Sequence, residues 1–292
     1  MVEATLKRVV NRIVNLPTLP QVVSTIVSLT DDPNCAIQDV TDVISRDPTI
    51  SVKILKLVNS AFYGFPSQIS NLSQAVVILG LNTVRNVTLS ASVFSVFKKG
   101  TGEEHAFDRT ACMVHTSAVA FIAKYIAQKL GGHDPEEAFV GGLLHDIGKI
   151  ILDTHMSKEF AAALRLAESG AVSGTEAEEQ TVGTTHAAVG GWLIGHWKLP
   201  ESLGRAVAKH HTPDQAGEAS RLAALLCLSD AIDHLQNETE DNIDLARLPV
   251  PALEILSLEA AELTGVLGAT REEAKKAQDF FSALGESEEK RK

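Results

Sequence analysis

The sequence predicts an all-α protein, and three observations carry that reading. Aromatic residues make up only 5% of the 292 residues. No strongly alternating run is bounded by hairpin turns, and helix-start signals recur along the chain. Asp47-Pro48 joins an N-cap to a proline at the first helical position and opens TISVKILKLVNS. Asn71 precedes LSQAVVIL, and Gly80 stands where a C-terminal glycine would end that helix. Asp134-Pro135-Glu136-Glu137 combines a cap, a first-turn proline and two acids that suit the helix dipole, and it opens AFVGGLLHDIGKI. Thr184 or Thr185 caps HAAVGGWLIGHW, and Glu218 to Leu235 forms a further helix with a long apolar face. Two prolines hold LPTLP, Leu16 to Pro20, in an extended approach to the next helix. Phe62, Tyr63 and Phe65 are expected to pack in the core.

The chain is long enough for about two structural units. Residues 1–100 are expected to form an N-terminal helical subdomain, separated by the polar, Gly-containing linker Lys98 to Glu104 from a helical core over 105–236. Histidines concentrate in that core. Residues 237–292 are expected to be a helical tail ending in a frayed GESEEKRK.

A hydrophobic content of 45% with 22% charged residues excludes a disordered or collagen-like chain. No run approaches the roughly 20 apolar residues of a membrane helix. The opening MVEATLKRVV lacks the apolar core of a signal peptide, so the expectation is a cytoplasmic protein with no membrane partner. The net charge of -11 argues against nucleic acid as a partner. Cys35, Cys112 and Cys227 are far apart and include no CxxC, so they read as small buried hydrophobes.

The strongest chemical signal is His145-Asp146 inside GLLHDIGK, where a carboxylate follows an apolar helical stretch. Burying an aspartate is costly unless it is paired or bound to a metal. Asp146 capping the next turn and His145 bonding to backbone is the plainer reading of the pair. Against it stand further candidate ligands on other segments. His115 lies in the apolar RTACMVHTSAVAFIAKYIA, His186 begins HAAVGGWLIGHW, and His210-His211 ends LPESLGRAVAKHH. Neighbouring helix positions differ by about 100°, so the rings of His210 and His211 are expected to diverge and serve two metal positions. Asp230 shares a face with Leu222 and Leu226 at spacing four, which puts a carboxylate on the buried side of its helix. His105, His133, His155, His196 and His234 fall outside this pattern and read as surface or interface histidines.

The order His115, His145-Asp146, His186, His210-His211, Asp230 resembles the HD superfamily of metal-dependent phosphohydrolases, and the extended set of the HD-GYP phosphodiesterases in particular. LPTLP, SRDPTISVKILKLVNSAFYG, SQAVVILGLNTVRNVTL, GLLHDIGKI, THAAVGGWLIGHWKLPESL and AVAKHHTP are similar to hallmarks of one branch, the HDOD (HD-related output domain) proteins. The resemblance covers roughly residues 6 to 235. It implies an HD-domain-like helical bundle and a role in bacterial signal transduction through protein partners. It also implies a divalent metal, iron or manganese before zinc, magnesium or nickel, as one or two ions. The ligands would be His115, His145, Asp146, His186, His210, His211 and Asp230. In active relatives the site hydrolyses a phosphate-containing ligand such as a nucleotide or cyclic dinucleotide. Asp146 and Lys149 would then be the catalytic residues, the first bridging the ions and the second holding phosphate charge. The sequence departs from the HD-GYP pattern in three places. Thr116, Ser117 and Ala118 follow His115 with no arginine, Thr212 stands where a glutamate follows the paired histidines, and TPDQAGEAS replaces the GYP triplet. These departures remove support for cyclic di-GMP hydrolysis and leave the metal ligands in place.

Overall fold

The structure, a computed structural model, describes residues 6, 9–10, 17–30, 32, 34–59, 65, 67–98, 107–238 and 245–285. Leu16, Phe62, Tyr63, the linker beyond Lys98, His105 and the tail beyond Gly285 lie outside the described residues. The N-terminal part comprises α1 (Gln21–Thr30), α2 (Ile37–Ser45), α3 (Pro48–Val58), α4 (Leu72–Leu79) and α5 (Leu81–Lys98). There follow α6 (Arg109–Leu130), α7 (Pro135–Leu144), α8 (Ile147–His155), α9 (Ser157–Glu168), α10 (Gly174–Thr181), α11 (His186–His196), α12 (Glu201–Ala208) and α13 (Ser220–Glu238). The chain closes with α14 (Val250–Leu256) and α15 (Ala260–Gly285), and no strand occurs among the described residues.

The caps explain most boundaries. The Asp47 carboxylate accepts the backbone N–H groups of Thr49 and Ile50 at 2.9 and 3.1 Å, and Pro48 occupies the first helical position. Asn71 accepts from Gln74 and Asp134 from Glu136 in the same way. Thr185, not Thr184, caps α11 by accepting from Ala188. Gly80 takes φ +78°, and α4 and α5 bend by 110° across it. α13 begins at Ser220 rather than Glu218, because Pro213–Gln215 and Gly217–Ala219 form two 3-10 turns before it.

The central helix is α6, which packs against α7, α13 and α15. Among single helices of the described residues it is long and apolar enough to cross a membrane, contrary to the reading of the sequence. Two thirds of that apolar window is buried inside the protein. Val119, Ala120, Ile122, Ala123 and Ile126 spend their apolar surface in the core.

The N-terminal helices share this core, because Val23, Ile44, Ile54 and Leu57 belong to the same buried cluster as Leu144 and Phe280. α15 packs on α6 and also reaches α3. Its Phe280 meets Phe121 and Phe139 edge-on, with centroids 5.4 and 5.8 Å away. Trp197 Nε1–H donates to Pro17 O at 2.7 Å, tying the proline segment to the end of α11. The Glu136 carboxylate accepts from Asn86 of α5 and from Lys124 of α6.

Two expectations need correction. Phe65 is 39% exposed rather than buried. Between α3 and α4, Asn59 bonds both the N–H and the carbonyl of Ile69. Of the cysteines, Cys112 is buried while Cys35 and Cys227 are only half-buried.

Candidate metal centre

Each candidate ligand sits at the end of an element or on a buried helical face. His115 projects from α6, His145 and Asp146 form the turn between α7 and α8, and His186 is the first residue of α11. His210 and His211 lie in the turn after α12, and Asp230 lies on α13. The Asp146 side chain makes no cap bond to α8, so capping does not account for it. Close helix packing brings these ends together, and one glycine is indispensable to it. A Cβ on Gly148 would fall 1.9 Å from the carbonyl oxygen of His186, so only glycine lets α8 lie against the start of α11.

The rings are held by their far nitrogens. Nδ1 of His145 faces Gly142 O and Nδ1 of His210 faces Val207 O, each at 2.7 Å. Nδ1 of His115 lies 2.6 Å from Asp233 Oδ2, and Nδ1 of His186 lies 2.8 Å from both Glu178 oxygens. With an acceptor at every Nδ1, that nitrogen carries the proton and Nε2 is turned to the common space. This is how metal-binding histidines are held by their supporting partners.

The inner atoms crowd together. His186 Nε2 lies 3.1 Å from Asp146 Oδ1, and His115 Nε2 lies 3.1 Å from Asp230 Oδ1. His211 Nε2 faces His186 Nε2 at 3.0 Å. Asp146 Oδ1 and His115 Nε2 are buried with no hydrogen bond beyond these ion-pair contacts, and His210 Nε2 is buried with no hydrogen-bond partner. Buried polar atoms are nearly always partnered, so His210 Nε2, within reach of His145 and Asp230, marks a place for a cation. Two groups of three, His186 with His210 and His211, and His115 with His145 and Asp146, each bring their donor atoms within 4.8 Å of one another. A third group, His145, His210 and Asp230, links them. Imidazoles mixed with carboxylates suit iron, manganese or zinc.

Electrostatics divides the histidines into two sets. Burial pushes His145 down to about 4 and His210 to about 3, so both are neutral ligands at neutral pH. Burial also pushes His211 down to about 2, helped by the neighbouring His210. For His115 burial opposes charge, but Asp230 and Asp233 outweigh it and raise the ring to about 10. His186 rises to about 9 against its burial, through Glu178 and Asp146. Burial also works against the Asp146 carboxylate, yet Lys149 and His145 hold it well below the usual range. Lys149 Nζ donates to Asp146 Oδ2 at 2.6 Å.

The structure thus brings together His115, His145, Asp146, His186, His210, His211 and Asp230, with Lys149 beside them. One geometric expectation fails. The rings of His210 and His211 do not diverge; their centroids are 4.0 Å apart. The 100° rule does not apply to them, because α12 ends at Ala208 and both residues lie in a turn. Three residues that contact this cluster escaped the sequence reading. Asp233 and His234 lie three and four residues after Asp230 on one helix face, a spacing that could have found them. His234, read as a surface histidine from sequence, is exposed, with 62% of its side chain accessible, and its Nε2 lies 3.2 Å from Asp230 Oδ1. Glu178 lies in the acidic, surface-like TEAEEQT and gives no sequence signal.

These observations define an all-α protein with a buried histidine–aspartate constellation of the HD type. The chain matches the HDOD domain over residues 16–213, and it belongs to that family. An HDOD domain protein of unknown function from Geobacter sulfurreducens has a TM-score of 0.82 at 25% identity, over 95% of this chain and 97% of that one. A Shewanella amazonensis SB2B protein, provisionally named a phosphohydrolase, has a TM-score of 0.78 at 24% identity, over 97% and 98% of the two chains. An uncharacterised protein of Treponema pallidum (strain Nichols) is 23% identical over 211 residues, which is 72% of this chain but only 40% of that relative.

Proposed function

We propose that this chain is a regulatory HDOD module of signal transduction, built around a retained divalent-metal site and acting through protein partners. The observation that carries the metal site is the set of three buried histidines and the half-buried His115 whose Nδ1 atoms are each held by an acceptor while their Nε2 atoms face two carboxylates. Regulation is favoured over turnover by the missing arginine after His115 and by the threonine at Thr212.

Hydrolysis of a phosphate-containing ligand is the second reading, and one observation favours it. His211 reaches the edge of a groove of about 710 Å³ that is also lined by Trp192, Arg205 and Lys209. A bound ion would supply Lewis-acid polarisation of a phosphoryl oxygen there, and Lys209 would attract the phosphate, Arg205 being paired with Glu201 on the same groove.

The deciding experiment is metal content by mass spectrometry on anaerobically purified protein, beside the Asp146→Ala and His186→Ala variants. One or two equivalents of iron or manganese in the parent, lost in both variants, are expected. No stoichiometric metal under any loading condition would remove the metal reading and hydrolysis together. A panel of nucleotides and phosphodiesters on the loaded parent then separates regulation from turnover.

A further inference from the structure

We infer that the chain carries an additional, outer metal position formed by His115, Asp230 and His234, in contact with the inner site and open to solvent. The inference rests on the metal-site reading and extends it to a residue outside the ligand set that the family resemblance implies.

Asp230 Oδ1 is bracketed by two imidazole nitrogens, His115 Nε2 at 3.1 Å and His234 Nε2 at 3.2 Å. Two donors bound at about 2.0–2.1 Å to one tetrahedral ion stand roughly 3.3 Å apart. The spacing found admits donors sharing an ion, and it is also that of an imidazole N–H on a carboxylate oxygen. All three donor atoms lie within 4.8 Å of one another, and the two rings are tilted by 32° with centroids 4.7 Å apart. His115 has its Nδ1 engaged by Asp233, so Nε2 is the nitrogen left for a cation.

Asp230 also belongs to the inner group with His145 and His210, and His115 to the group with His145 and Asp146. Asp230 can bridge the outer position to an inner one, whereas His115, with Nδ1 engaged by Asp233, offers one lone pair on Nε2 and serves one ion at a time. Exposure rises outward along this line, from 1% at the His145 side chain through 14% at Asp230 to 62% at His234. An inner ion would be enclosed, whereas an outer ion would have three protein donors and face solvent. That is the pattern of an exchangeable site rather than a structural one. Two imidazoles and one carboxylate suit a divalent first-row transition ion. An ordinary helical ion pair between Asp230 and His234 would account for the 3.2 Å contact alone. Asp230 Oδ1 also has lone pairs enough to accept both imidazole N–H groups, and the cobalt titration separates that ion-paired arrangement from a bound ion.

The test is a cobalt(II) titration of the full chain after chelation, followed by visible absorption and equilibrium dialysis, for the parent, His234→Ala and His186→Ala. In the parent, an equivalent weaker than the inner ones is expected, with its own absorption band. His234→Ala should lose that equivalent and band while keeping the tighter stoichiometry, and His186→Ala should keep it. Thermal melting of the metal-free His234→Ala variant should match the parent, because the side chain is largely exposed. If the parent binds cobalt and His234→Ala titrates identically, the outer site is wrong and the inner site stands. Loss of every equivalent in a folded His234→Ala would also overturn a separate outer position. A parent that binds no cobalt would overturn both readings.

Discussion

His211 Nε2 lies 3.0 Å from His186 Nε2, although neither ring has a carbonyl or carboxylate between them. Two nitrogen lone pairs at this distance repel unless a proton or a cation sits between them. In the metal-free chain the proton belongs to His186, raised to about 9 against its burial by Glu178 and Asp146, because burial pushes His211 down to about 2. His115, raised to about 10, also carries a proton at neutral pH. A metal ion on these Nε2 atoms must expel both protons. Calorimetry at about pH 7.5 in two buffers of different ionisation enthalpy should therefore register release of about two protons when both positions fill. Affinity should rise as pH increases from roughly 6.5 toward 9. Binding without proton release would show that these nitrogens do not meet the ion.

The acid side is governed by the other histidines. Folding holds His145 at about 4 and His210 at about 3 through burial, against about 6.5 in the unfolded chain. Below about pH 6.5 the unfolded chain binds more protons than the folded one, so stability falls as pH drops. His115 and His186 have raised values and are protonated in both states below about pH 6.5, so they add no slope there. With His211, which burial holds at about 2, the three depressed rings together give a slope of up to about 4 kcal/mol per pH unit near pH 5. Urea unfolding of the chelated protein at about pH 7, 6 and 5 measures it. A stability that stays level over that range would contradict the buried, neutral state of these rings.

Glu178 is a buried carboxylate on α10 that accepts the backbone N–H of His186 at 2.7 Å and faces its Nδ1 at 2.8 Å. It therefore sets both where α11 starts and which nitrogen of His186 is free. Glu178→Gln keeps the shape but removes the charge that makes the ring a better donor. Metal affinity should fall by roughly 10–100-fold, the usual effect of losing such a partner. Glu178→Ala should also lower stability by about 1–3 kcal/mol, because the buried N–H loses its acceptor. Competition with a chromogenic chelator reads the first effect and urea unfolding the second. Unchanged affinity in the glutamine variant would mean that His186 is not oriented through Glu178.

What the sequence discloses follows the range of each interaction. Helix starts at Asp47, Asn71 and Asp134 are legible because a cap and its N–H partners lie within three residues. The ligands are legible because a polar residue in an apolar helix, such as His115 or Asp230, must find compensation inside. The turn that holds His210 and His211 is not legible, since α12 ends at Ala208 without glycine or proline beside it and the first proline comes at Pro213. Glu178 is hidden for another reason. Its partner lies on a different helix, and its own helix has the composition of a solvated surface. Asp233 and His234 lie between these cases, placed by simple helical spacing once Asp230 is recognised as a ligand.

Gly148 is the position where packing and site are least separable. A methyl group there would lie 1.9 Å from His186 O and 2.9 Å from Gly190 N, and both are backbone atoms that cannot swing aside. Gly148→Ala must part α8 from α11, which separates Asp146 and His145 from His186. The expected cost is about 3 kcal/mol or more, at the upper end for overpacking, together with loss of bound metal. A methyl group on Gly195, near the other end of α11, would meet nothing within 4 Å. Gly195→Ala should therefore raise stability by about 0.5–1 kcal/mol through helix propensity and leave metal binding untouched. Urea unfolding and metal content of the two variants test the pair together. If Gly148→Ala were as stable and as metal-loaded as the parent, α8 could not lie against the first turn of α11, and the constellation built on that contact would have to be held some other way.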